Sequence, residues 1–172
     1  PINTRDDVVD LAITDGRVVE IGSGLLASQA KAVLDLDERV IIPGLVDPHV
    51  HLAYWFGCQA GYPMLARAGV TTAVDAAGPP NEVIRGIRER GSGINIATLN
   101  TVWPARTVPD NNPSNKAIDE FIDVSLAGGA VGIKILGGHF PLTPDATARI
   151  IERAWKRKIL VVVHAGTTRT PG

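Results

Sequence analysis

Residues 39–52 read RVIIPGLVDPHVHL. The stretch begins as an apolar, β-branched run, Val40, Ile41 and Ile42, continued by Leu45 and Val46. A run of this kind, without polar alternation, suits a strand buried on both faces. It closes on two of the chain's four histidines, His49 and His51. Side chains two apart on a strand share a face, so both imidazoles would project together from the strand's C-terminal end. Imidazole pairs of this kind ligate zinc and other transition metals. The triplet alone leaves a second reading open, two solvent-exposed loop histidines.

The same kind of apolar run recurs down the chain. GVTTAVDA spans 69–76, INIATLNTV 94–102, AVGIKIL 130–136 and ILVVVHA 159–165. With the first run at 40–46, the last core positions fall at Val46, Asp75, Val102, Leu136 and Val163, spaced 29, 27, 34 and 27 residues apart. Helix-like segments lie between them at 59–68, 80–91, 115–127 and 143–157. The last is strongly signalled: Thr143 caps it, Pro144 opens the first turn, and Asp145 complements the helix dipole. Its stripe of Ile150, Ile151, Ala154 and Trp155 is expected to pack on strands. Strand–helix repeats of about 30 residues with continuously apolar strands mean parallel βαβ units. A doubly wound open sheet and a (β/α)8 barrel both fit, and no G-x-G-x-x-G follows the first strand to favour a dinucleotide site. Five βα units are visible where a barrel has eight.

Residues 1–39 read differently. VVDLAITDGRVVEIG, 8–22, alternates around Asp15-Gly16, a strong short hairpin signal. AVLDLDERV, 32–40, reads as a further strand. We therefore expect a small, partial β-sandwich-like layer over 1–39 and barrel-type βα units over 40–172.

Composition narrows the partners. Of 172 residues, 45% are hydrophobic and 20% charged, and the net charge of −1 offers no electrostatic footprint for nucleic acid or an anionic membrane surface. No apolar stretch is long enough to span a bilayer. The single cysteine, Cys58, rules out an internal disulfide framework and fits a reducing, cytoplasmic compartment. PINTRDD at the start lacks an initiator methionine, and TTRTPG follows directly on an apolar segment. The expectation is a piece of a longer protein, or half of a two-chain assembly. Five barrel strands leave open edges, so a segment or chain supplying the remaining strands is expected as an intimate partner. A homo-oligomer is expected as well.

In either architecture, function sits at the strands' C-terminal ends. His49 and His51 end the first strand, Asp75 the second, Asn100, Thr101 and Trp103 the third, and His164 the fifth. Lys134 lies inside the fourth, between Ile133 and Ile135. An unpaired ammonium is costly to bury. Either Lys134 escapes at a sheet edge or pairs with an acid, or burial keeps it neutral. A neutral amine reacts with carbon dioxide to give a carbamate, a two-oxygen anion able to bridge two metal ions.

PGLVDPHVHL, GVTTAVD, GIKI and VVVHAG together resemble the amidohydrolase superfamily, in the branch of hydantoinases, dihydroorotases, imidases and related deacetylases. The resemblance implies an α/β fold, a (β/α)8 TIM barrel preceded by a β-layer. It implies that His49 and His51 bind the more buried metal, that Lys134 bridges two metals as its CO2-derived carbamate, and that His164 binds the second. The metals would be two divalent ions, zinc by default, with Mn, Co, Ni or Fe also suited. A hydroxide shared by them would attack an amide, cyclic amide, imide or related ester of a small-molecule substrate. The family's catalytic aspartate and sixth-strand histidine have no counterpart here and are expected beyond residue 172. Ala53 stands where dihydroorotases typically carry an arginine. His139, Tyr54, Asn100 and Trp103 are the candidate substrate contacts, and Asp75 reads as structural. The alternative is a catalytically inactive scaffold of the same fold, or a subunit that needs a complementary chain.

Overall fold

A computed structural model describes residues 7–37, 39–53 and 60–166. The chain divides into two compact units, Pro1–Pro43 and Gly44–Gly172.

In the first unit, β1 (Asp10–Thr14) pairs antiparallel with β2 (Arg17–Gly22). Asp15 and Gly16 both take positive φ, 49° and 73°, as a two-residue hairpin turn of the primed type requires. Beyond β2, the backbone N–H groups of Gly24 and Leu25 donate to the Asp10 carboxylate at 2.9 and 3.0 Å, folding the chain back on β1. The strand expected at 32–40 does not form among the described residues. There the Asp37 N–H bonds to the Asp35 carboxylate at 2.9 Å and Asp37 takes a φ of 49°, a local turn that competes with extended pairing.

The second unit is a five-stranded, wholly parallel sheet in the order β3 (Leu45–Val50), β4 (Val70–Asp75), β5 (Asn95–Val102), β6 (Gly132–Leu136) and β7 (Leu160–His164). Four helices alternate with these strands: α1 (Gly61–Arg67), α2 (Pro80–Arg90), α3 (Asn115–Ala127) and α4 (Pro144–Lys156). Sequential strands are neighbours throughout, as in one side of a barrel rather than a doubly wound sheet. This is an incomplete TIM barrel, an α/β half-barrel. Among the described residues no helix is long and apolar enough to cross a membrane.

The first barrel strand starts later than expected. Val40, Ile41 and Ile42 belong to the first unit and are exposed, and Pro43-Gly44 separates them from β3. β3 is itself an edge strand, with Leu45 and Val46 exposed, so the expectation of a strand buried on both faces fails here. The edge position also tolerates Pro48, which has no N–H for a ladder.

All four helices cover one face of the sheet. Ile118, Phe121 and Ile122 of α3 and Ile150 and Ala154 of α4 pack with Val102, Ile133, Ile135 and Val161. Tyr62 and Leu65 of α1 and Ile87 of α2 pack with Val50, Val70, Ala73 and Ile96. Helix starts follow their caps: the Ser114 and Thr143 hydroxyls accept from the N–H groups of Ala117 and Ala146. Ile151 and Trp155 break with the expected stripe, Trp155 being 78% exposed. Neighbours on a helix sit about 100° apart, so Ile150 and Ala154 can face the sheet only if Ile151 and Trp155 turn from it.

Candidate metal and substrate site

The helix-free face of the sheet gathers the residues of interest. On β6, Ile133 and Ile135 enter the helix-side core, so Lys134 between them projects from the other face. In register, Lys134 lies between Thr101 on β5 and Val162 on β7. His164 lies opposite Leu136, two residues on from Val162, and so shares the face of Lys134. Val50 packs into the helix-side cluster, which sends its neighbours His49 and His51 the opposite way.

Local backbone chemistry shapes the end of β3. The Asp47 carboxylate accepts from the His49 N–H at 3.1 Å, across Pro48, and the pairing with β4 shifts register between Asp47 and Val50. The two imidazoles end in edge-to-face contact, ring centroids 5.4 Å apart. Just beyond, Asp75 fixes the chain. Its fully buried carboxylate accepts from the N–H groups of Leu52 and Ala53 through one oxygen and of Ala77 and Gly78 through the other. Asp75 therefore clamps the segment after His51 to the segment after β4, the structural role its sequence suggests.

The charges of the other expected ligands are felt at His51. Desolvation holds His51 below the ordinary histidine range; the charges of His49, Lys134 and His164 push the same way, and Asp75 opposes them. Burial likewise lowers Lys134, favouring its neutral amine. Lys134 is 1% exposed, and its Nζ has no hydrogen-bond partner among the described residues. It does not escape at an edge, and among the described residues it pairs with no acid. Among the described residues no three His, Cys, Asp or Glu side chains stand close enough together to hold a metal ion. A buried, unpartnered, neutral-leaning amine is still the chemistry from which a carbamate forms, and with the three histidines it makes a donor set that suits divalent metals.

The substrate-contact candidates separate. The turn after β6, with the N–H groups of His139 and Phe140 bonded to the Leu136 carbonyl, brings His139 to His164 at a centroid distance of 5.7 Å. Trp103, at the end of β5, stacks on Phe140 at 4.1 Å and carries the Arg106 guanidinium 4.4 Å above its ring centroid. Asn100 goes elsewhere. It shares the helix-side parity of Val102, and its amide donates to the Ser125 hydroxyl on α3 at 2.9 Å. As a substrate contact Asn100 is corrected to a sheet–helix anchor. Tyr54 lies outside the described residues, as does Cys58. Arg106 and Phe140 went unnoticed in the sequence because only the folded loops bring them to Trp103.

Comparison with known proteins agrees with this arrangement. A family model described as the amidohydrolase family matches residues 40–170. The allantoinase of Escherichia coli O1:K1 / APEC is 37% identical over 73 residues, 40% of this chain and 16% of the relative. The allantoinase of Salmonella paratyphi B (strain ATCC BAA-1250 / SPB7) is 34% identical over the same shares. The matched stretch thus spans about a sixth of the length of these relatives. Strand-end histidines, the parallel half-barrel and the family match over most of its length converge: this chain belongs to the amidohydrolase family.

Proposed function

We propose that this chain supplies the first part of the active site of a metal-dependent hydrolase that opens C–N bonds of amides, cyclic amides or imides. The observation that carries the proposal is the buried, unpartnered amine of Lys134 on the same sheet face as His49, His51 and His164. The resemblance to allantoinases favours a cyclic amide as substrate.

In this reading His49 and His51 would hold one divalent ion, His164 a second, and Lys134, as its carbamate, would contribute to both. The neutral amine would attack the carbon of CO2 and shed a proton, which turns a buried neutral amine into an anion. Bound ions would supply Lewis acidity toward a carbonyl oxygen and acidify a water near neutral pH. The protein's own tasks are orientation and exclusion of solvent. Asp75 fixes the backbone after His51, and the turn carrying His139 braces the ring of His164. The carboxylate that moves the proton to the leaving nitrogen is assigned to residues outside these 172. A second reading, a scaffold or subunit completed by another segment or chain, is favoured by the exposed apolar residues of both edge strands, Leu45 and Val46 on β3, Leu160 and Val163 on β7.

Metal content and ring opening of the intact protein test the proposal. About two ions per chain are expected, as two-metal hydrolysis requires. Lys134→Ala should lose most of the metal and the activity, with partial rescue by a short carboxylic acid. Full metal loading and normal turnover in that variant sink the carbamate, whereas a metal-free intact protein favours the scaffold reading.

A further inference from the structure

The loop after β5 is built to present a cation. Its backbone closes tightly on itself: the N–H groups of Arg106, Thr107 and Val108 all bond to the Trp103 carbonyl, at 3.0, 2.8 and 3.2 Å. The Thr107 hydroxyl accepts from the Trp103 N–H at 2.6 Å and donates to the Thr101 carbonyl at 2.9 Å. Val108 plugs the loop into the helix-side core. Ala105 takes a φ of 62°, the left-handed region an alanine rarely adopts, and this turns the next residue, Arg106, back over the Trp103 ring.

The guanidinium lies at the end of a continuous run of rings. Arg106 covers Trp103, Trp103 stacks on Phe140, Phe140 neighbours His139 at 6.5 Å, and His139 meets His164. The arginines of α4 are consumed by structure: Arg149 bonds Asp145 and the Asn112–Asn115 turn, Arg153 pairs with Asp119, and Arg157 pairs with Asp123. Arg106 has no acidic partner among the described residues, and it is exposed. A guanidinium held over an aromatic ring keeps its N–H fork available, and that fork matches a carboxylate in two parallel hydrogen bonds.

We infer that Arg106 is a specificity determinant that recognises a carboxylate on the substrate, so the preferred substrates are cyclic amides or imides bearing an acidic substituent. The inference rests on the hydrolase reading for its site, but its test does not need turnover. Hydantoin and hydantoin-5-acetate differ by one carboxymethyl group and serve as the probes. Their binding to the intact protein is measured by titration calorimetry, in wild type and in Arg106→Gln. Wild type should bind the acetate at least about tenfold more tightly, the scale of a charge-assisted hydrogen bond. Arg106→Gln should erase that preference and leave hydantoin binding unchanged, and Arg106→Lys, which keeps the charge but not the fork, should fall between. Equal binding of the two probes in wild type overturns the inference. A preference that survives Arg106→Gln, or no binding of either probe, does so equally. Ring opening in the same samples reports on the hydrolase reading alone: a carboxylate preference without ring opening would leave the arginine's role standing and remove hydrolysis.

Discussion

The two faces of the five-stranded sheet handle charge in opposite ways. On the helix side the charged groups of α3 and α4 are matched, and the one orphan there among the described residues is neutral, the Asn100 Oδ1. Arg149, Arg153 and Arg157 recur every four residues along α4 and meet Asn115, Asp119 and Asp123, which recur every four along α3. Two facing rows at the same spacing can pair rung by rung. The opposite face keeps Lys134 buried with nothing among the described residues to bond its Nζ, while the rings of His49 and His51, and of His139 and His164, meet edge to face. Burial of an unsatisfied amine is a cost that folding alone gives no reason to retain. One face is arranged for stability, and the other carries a group whose use lies outside the fold.

The largest effect expected from that contrast is a reversal of sign between stability and activity. Lys134→Met keeps the side chain's length and removes the orphaned amine. In chelator-treated protein, where bound metal cannot add to stability, it should stabilise the fold by roughly 1–3 kcal/mol. Ring opening by the untreated protein should fall by about 10³-fold or more, given the several kcal/mol a metal contributes to the transition state. Denaturant melts and kcat/KM measure the two. A destabilised Lys134→Met protein would mean that the amine has a stabilising partner and that the two faces are less different than they look.

The next contrast divides two residues three apart on one stretch. Asn100 is tied to Ser125 on the helix side, and Trp103 sits at the rim between Phe140 and Arg106. Asn100→Ala should cost about 1–2 kcal/mol of stability with KM unchanged. Trp103→Ala should raise KM about tenfold, as loss of a pocket wall does. A raised KM in Asn100→Ala would place that side chain on the substrate face after all.

That pair also shows what the sequence carries and what it withholds. The strand–helix order was legible because parallel strands read as unbroken apolar runs, and the start of α4 because Thr143 is a capping residue. The same unbroken runs hide which way each side chain points. In INIATLNTV no polar alternation marks Thr101 as facing away from the helices and Asn100 as facing α3. The two histidines at the end of β3 and the lysine among isoleucines were visible because their chemistry is out of place in such strands. The start of β3 was misjudged because Val40–Ile42 has a core strand's composition, while Pro43-Gly44 and the edge position decide otherwise. Arg106 was invisible: an arginine in a polar loop has no sequence signature, and only the left-handed turn at Ala105 puts it on Trp103.

The smallest expected effect lies on the helix side and tests whether its ladder is only structural. The guanidinium of Arg153, by direct hydrogen bonding, holds the Asp119 carboxyl below its ordinary value of 3.8, and nearby Arg157 adds to the shift. A carboxyl whose folded value is depressed binds its proton more weakly in the folded chain than in the unfolded one. Its contribution is therefore fully present above the unfolded value and drains away as the pH falls through the lowered folded value. The pair is partly exposed, so solvent and salt weaken the effect. Asp119→Asn should accordingly be slightly less stable than wild type at neutral pH and indistinguishable from it in strong acid, with the difference shrinking in high salt. Urea melts across that pH range read it directly. A gap that persists in strong acid would assign the ladder's contribution to packing and neutral hydrogen bonds. A gap that appears in KM instead would show that α3 and α4 transmit strain to the turn carrying His139, and that the two faces are mechanically one.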